Sequence, residues 1–158
     1  MLYDILIPEK ALNDIAQMKC LFVVMEYISV DLKSTLEGDG GIKWQSKDIK
    51  LILYNMLCTI NFIHSCNVMH RDIKPANIFV KTCDLTKIGV CPVIGDWDLA
   101  YYYKRDGGYE NQLRYTQTYR PPEMHFFAIS GSEIFEGPGG YMYSGNEDIF
   151  ATGITIVE

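Results

Sequence analysis

The sequence predicts an α+β fold, and three observations carry that reading. Cys20 to Met25 is the longest apolar stretch of the chain, too short to cross a bilayer, and Leu21 to Glu26 reads as a buried strand. From Ser46 onward Ile49, Ile52, Leu53, Met56, Leu57, Ile60 and Ile63 recur at helical spacing. Two shorter β-like runs, Ile78 to Val80 and Val90 to Ile94, flank a longer connection. The 158 residues are 48% hydrophobic and 22% charged, which excludes a disordered or low-complexity chain and suits one ordinary globular domain.

Taken in order, Leu2 to Ile7 reads as a strand that pairs as a hairpin with a buried strand at Leu21 to Glu26. Asp31 to Glu37 reads as a brief helix ended by the glycines of Gly38-Asp39-Gly40-Gly41, which tolerate positive φ. The helix from Ser46 is the strongest element, with Ser46 as its expected N-cap, Asp48 in its first turn and its apolar face in the core. Gly107-Gly108 and Gly137 to Gly140 mark loops. Asp148 opens a further apolar helix in which the sequence ends without a C-cap, so the chain reads as a piece of something longer.

The net charge of -6 opposes a nucleic-acid partner or an anionic membrane surface, either of which needs clustered Lys and Arg. Five cysteines without a CxxC pair suggest neither a disulfide framework nor a zinc site, so reduced thiols in the cytosol or nucleus are expected. Acids and a proline in Met1 to Lys10 do not make a secretion signal.

The chemistry concentrates in His70-Arg71-Asp72-Ile73-Lys74-Pro75-Ala76-Asn77. An acid, two cations and a carboxamide stand within one short turn, the set that aligns a hydroxyl, a phosphate and a divalent metal. An isolated Asp and Asn at this spacing would read as a turn held by side chains bonding the local backbone. In this register the string resembles the catalytic loop of protein kinases, matching the six fixed positions of H-R-D-x-K-P-x-N.

The resemblance implies a protein-kinase-like fold present in part. Residues 1–27 are the end of the small β lobe, and residues 28–158 are the hinge and first part of the mainly helical large lobe. It implies transfer of the ATP γ-phosphate to a protein Ser or Thr hydroxyl, with ATP and Mg²⁺ as cofactors. Asp72 would orient the hydroxyl or accept its proton, Lys74 would neutralise the transferred phosphate, and Asn77 would offer an oxygen to Mg²⁺. His70 is expected to be structural. Arg71 pairs in relatives with a phosphorylated residue of the activation segment, a surface ion pair being the other reading.

Ile94-Gly95-Asp96-Trp97-Asp98-Leu99-Ala100 resembles the metal-binding D-F-G-L-A segment, with Asp96 as the Mg²⁺ ligand, Trp97 for the phenylalanine and Asp98 for the glycine. Asp98 removes a backbone freedom and adds a carboxylate near the phosphates. Thr116-Gln117-Thr118-Tyr119-Arg120-Pro121-Pro122-Glu123 resembles the T-x-x-Y-R-A-P-E that ends the activation segment in the cyclin-dependent and mitogen-activated group. Thr116 then falls on the threonine that bonds the catalytic aspartate and lysine. Glu123 falls on a glutamate that would be buried without its usual partner. Gln117 stands where that group has arginine, so its preference for a following proline does not transfer.

Val23 to Leu32 resembles the adenine-holding hinge, with Met25 behind the pocket, backbone groups of Glu26 and Ile28 toward adenine and Asp31 toward the ribose. Asp148-Ile149-Phe150-Ala151-Thr152-Gly153 is similar to a helix start whose aspartate anchors the catalytic loop; an ordinary N-terminal acid of a helix is the other reading. The Gly-rich loop and the phosphate-positioning lysine of the small lobe are not found, so this polypeptide alone is expected to transfer phosphate poorly or to act as a pseudokinase that binds nucleotide or protein. A chain that does not fold stably, its apolar helix faces unpartnered, is a third reading. The partners implied are ATP, a protein substrate and a regulatory protein, in the cytoplasm or nucleus, without nucleic acid or membrane.

Overall fold

The computed structural model describes residues 1–8, 16, 18–38, 43–82, 90–103, 109–110, 113–130 and 141–158. Strands β1 (Leu2–Leu6) and β2 (Phe22–Met25) form the expected antiparallel ribbon, with Leu6 opposite Phe22 and Ile5 opposite Val23. Every residue of both strands is exposed. The expectation of a buried strand at Leu21 to Glu26 is therefore corrected: among the described residues no element is laid over either face of the ribbon.

Helix α1 (Leu32–Leu36) is capped by Asp31, whose Oδ1 accepts from the Ser34 N–H at 2.9 Å, and Gly38 follows it at φ +90°. Helix α2 (Ser46–Ser65) is the central element. Its N-cap is Gln45 and not Ser46, because the Asp48 carboxylate reaches back to the Gln45 N–H at 3.0 Å and fixes the first turn one residue earlier. Ile52, Met56, Ile60 and Ile63 are buried, while Ile49 and Leu57 of the same periodic set remain partly exposed. The buried stripe is thus narrower than the apolar pattern, as suits a helix covered along one face.

Three short antiparallel pairs accompany the β1–β2 ribbon. Strand β3 (Val68–Met69) pairs with β6 (Tyr101–Tyr102), β4 (Ile78–Thr82) with β5 (Val90–Ile94), and β7 (Tyr109–Glu110) with β8 (Tyr141–Met142). Helices α3 (Pro122–Ser130) and α4 (Asn146–Val157) complete the set, α4 packing on α2. The core joins Met56 and Ile60 of α2 to Met69, Ile73, Ile78, Met124 and Ala151, all withdrawn from water. Burying each large side chain stabilises by about 1.5–3 kcal/mol. The stretch 70–77 thus runs between β3 and β4, its backbone pinned at Ile73 and Ile78. The Gly107-Gly108 and Gly137–Gly140 loops lie outside the described residues, as does the connection 83–89 with Cys83. Among the described residues no helix is long and apolar enough to cross a membrane.

Candidate active site

Asp72 is the centre of a closed hydrogen-bond figure. Lys74 Nζ donates to Asp72 Oδ2 at 2.7 Å and to Thr116 Oγ1 at 3.1 Å, and the Thr116 hydroxyl donates to Asp72 Oδ1 at 2.6 Å. Asn77 Nδ2 donates to both the backbone oxygen and Oδ2 of Asp72, each at 2.9 Å. A short 3₁₀ turn over Pro75–Asn77, with Pro75 pre-set for its first position, aims Asn77 back at Asp72. Burial pushes the Asp72 carboxyl up, but the bonds from Lys74 and Thr116, the Lys74 charge and the Asn77 bond outweigh it, and the net shift is downward. Asp72 is ionised at neutral pH.

The loop backbone hangs from Asp148, in the first turn of α4. Its Oδ2 accepts from the His70 N–H and from His64 Nε2, both at 2.9 Å; its Oδ1 accepts from the Arg71 N–H at 2.9 Å and from the Tyr115 hydroxyl. Of the two readings of Asp148, the structure shows the anchor. These donors overcome the burial of the carboxylate and hold its pKa below the usual value. Burial, with the nearby Asp148 charge, pushes the Tyr115 phenol far up, so Tyr115 is the proton donor of that pair. The anchoring lets Arg71 persist at φ +64°, a conformation that costs a non-glycine residue about 1–3 kcal/mol.

His70 is structural, as expected. Its Nε2–H donates to the Gly95 carbonyl at 2.9 Å and its Nδ1 accepts from the Asp72 N–H at 3.2 Å, which assigns the neutral Nε2–H tautomer. Burial holds its pKa below the ordinary histidine value. Folded His70 therefore refuses a proton that the unfolded chain accepts, and stability falls as pH drops through about 6.5, by up to ~1.4 kcal/mol per pH unit. Urea unfolding of the chain and of His70→Gln at several pH values between 7.5 and 5 checks this; identical slopes for the two would refute it.

The segment 94–100 lies beside the loop. Gly95 N–H donates to the Asn77 carbonyl at 2.9 Å, so Asp96 and Asn77 sit at the same end of the β4–β5 ribbon. A methyl group at Gly95 would come within 2.5 Å of the Phe79 ring, which explains a glycine here. Trp97 lies edge-on to His70 at 4.7 Å and donates its Nε1–H to the Ile94 carbonyl. Asp96 is exposed and takes the left-handed conformation at φ +59°, whereas Asp98 is exposed without a positive φ. The glycine freedom expected to be missed at position 98 is not used there. Asn77 commits its amide nitrogen to Asp72, leaving its carbonyl oxygen, and Asp96 presents a carboxylate. Two hard oxygens suit Mg²⁺, which takes few protein ligands and completes its shell with water and phosphate.

In the hinge stretch the Glu26 N–H donates to the Met1 carbonyl at 2.8 Å, and the Glu26 carboxylate is engaged by Lys81. Ile28 is half-buried. Asp31 uses Oδ1 to cap α1. The backbone continues against β4, with the Val80 N–H on the Val30 carbonyl. Glu123, expected to be buried without a partner, is exposed in the first turn of α3, where solvent and the positive helix end accommodate it. Nothing in the sequence singles out His64 or Tyr143, and Tyr115 stands there only as one of several tyrosines. His64 in the last turn of α2 and a tyrosine just before Thr116 carry no signal of an anchor 84 and 33 residues away.

The fold and the loop geometry are those of a protein kinase. The chain belongs to the protein kinase domain family, whose model matches residues 10–158. It is 35% identical over 125 residues to mitogen-activated protein kinase 4 of Rattus norvegicus, covering 77% of this chain and 43% of that protein. To the interferon-induced, double-stranded RNA-activated protein kinase of Mus musculus it is 33% identical over 157 residues, 96% of this chain and 26% of that protein. A chain of the crystal structure of the yeast RNA Pol II CTD kinase CTDK-1 complex superposes with a TM-score of 0.71 at 22% identity, covering all of this chain and 43% of that one. The chain thus spans less than half the length of these relatives.

Proposed function

We propose that this chain is the catalytic region of an ATP-dependent protein serine/threonine kinase, with residues 1–27 belonging to the small lobe and residues 28–158 to the hinge and large lobe. The Asp72–Lys74–Thr116 figure supports this most directly, since it presents an ionised carboxylate and a cation side by side. Asp72 accepts the hydrogen bond of the substrate Ser or Thr hydroxyl and orients it in line with the phosphate. Its lowered pKa makes it a weak base, so the proton arrives late, as the phosphoryl group leaves ATP. Lys74 offsets charge on the transferred group. Asn77 and Asp96 are the residues that would hold Mg²⁺, which supplies neutralisation of the phosphate oxygens when bound. Backbone groups of Glu26 and Ile28 receive adenine, and Asp31 the ribose. The protein acts in the cytoplasm or nucleus, where ATP is present, and the complex in which the yeast neighbour was solved points to a regulatory protein partner here as well.

One observation favours a second reading, a pseudokinase that binds nucleotide without transfer: Asp98 adds an exposed carboxylate two residues from Asp96. A thermal-shift titration with ATP, with and without Mg²⁺, followed by transfer of labelled phosphate to casein, separates the two. The kinase reading expects a melting midpoint raised by ATP only when Mg²⁺ is present, by mass action, and label on Ser or Thr. A shift without transfer favours the pseudokinase, and the absence of any shift refutes both.

A further inference from the structure

Arg71 carries its charge at 4% exposure, and a buried cation persists only where its surroundings compensate it. Two of its neighbours are aromatic faces. The guanidinium carbon stands 4.7 Å from the Tyr101 ring centroid and 5.0 Å from that of Tyr143, both within cation–π range. Its Nε–H donates to the Leu99 carbonyl at 2.7 Å. In the unmodified chain the charge is thus already met by two rings and a carbonyl.

Tyr143 has a second contact. Its phenol oxygen accepts from the Arg114 N–H at 2.9 Å. Its ring stacks on Tyr115 at 6.3 Å between centroids and 21° between planes. Arg114 and Tyr115 immediately precede Thr116, the residue that closes the figure around Asp72. One side chain therefore touches both the arginine adjoining Asp72 and the segment that delivers Thr116.

We infer that Tyr143 is a positioning residue: with Tyr101 it clamps Arg71, and through Arg114 it sets Thr116 against Asp72, without a phosphate on the segment. The inference rests on reading Asp72 and Thr116 as the transfer centre. It differs from plain packing because the phenol oxygen, which packing does not need, holds the segment. The strained φ of Arg71 agrees with a residue fixed from several sides.

The test is hydrogen exchange by NMR on the full chain, shown by mass spectrometry to be unphosphorylated, following the Arg71 Nε–H and the Arg114 amide. Tyr143→Phe keeps the ring and loses the acceptor; the Arg114 amide should exchange about tenfold faster or more while the Arg71 Nε–H stays protected. Tyr143→Leu should release both by a similar factor, with the amides of Met56 and Ile60 in α2 unchanged. Where Tyr143→Leu loosens α2 as well, Tyr143→Phe alone decides. An Arg114 amide unmoved in Tyr143→Phe overturns the inference, as does an Arg71 Nε–H that exchanges like free arginine in the unphosphorylated chain and is protected only after phosphorylation. In transfer to casein, Tyr143→Phe should lower kcat and leave the KM for ATP in place; unchanged kcat with measurable wild-type transfer counts against positioning. If the wild-type chain transfers nothing, the kinase reading fails on its own, while the exchange pattern still decides the clamp.

Discussion

Replacing Asp72 by Asn is expected to lower phosphate transfer by about 10²–10⁴-fold, the range for removing a positioned acid–base group. The side chain keeps its size, and Asn77 still reaches the Asp72 backbone oxygen, so the loop should retain its path. What disappears is the negative charge that Lys74 and Thr116 now share. The Lys74 cation, deprived of its carboxylate, is free to lean on the phosphate of ATP, so the KM for ATP should change far less than kcat. Steady-state kinetics with a protein acceptor and MgATP checks both parameters. A kcat within about threefold of wild type would remove Asp72 from the assigned role.

Asp148→Ala is expected to be the most damaging single change to the fold, costing about 3–5 kcal/mol. The carboxylate is fully buried and accepts four hydrogen bonds, two of them from backbone N–H groups at His70 and Arg71. Alanine leaves those buried donors unpaired and opens a void between α4 and the loop. Such a cost is a large share of the 5–15 kcal/mol by which small domains are stable. Urea unfolding followed by circular dichroism reads the loss; Asp148→Asn, which retains one acceptor, should fall between the two. Since the folded pKa of Asp148 is depressed, its contribution is present above the unfolded carboxyl value near pH 4 and fades as pH falls toward the folded value. A loss under about 1 kcal/mol for Asp148→Ala would show that water or a side-chain shift satisfies the loop without it.

The residues that could be read from sequence are those whose meaning is local. Asp72, Lys74 and Asn77 lie within six positions, and α2 announces itself through Ile52, Met56 and Ile60 at helical spacing. The hairpin of β1 and β2 was legible from two apolar runs, but its exposure was not, because an apolar strand looks the same whether or not a layer covers it. Strands β3, β6, β7 and β8 have two residues each, too few for any period. The α2 cap was misplaced by one residue because Ser46 is the better capping type, whereas the choice was made by Asp48 bonding the Gln45 N–H. His64, Tyr115 and Tyr143 act through partners far along the chain, and no local pattern marks such partners.

Those same separations set the order in which the molecule can be assembled. The four donors to Asp148 lie 33, 77, 78 and 84 residues before it. Helix α2 needs only its own residues to begin forming, but the backbone at His70 and Arg71 gains its anchor only when α4 has been synthesised and has docked. Closing loops of that length is entropically uphill until the anchor bonds form, so the loop should take shape in one late step, after local structure has come and gone many times. A ribosome-bound chain halted before Asp148 would carry every residue of the Asp72 figure but lack the carboxylate that anchors the His70 and Arg71 backbone.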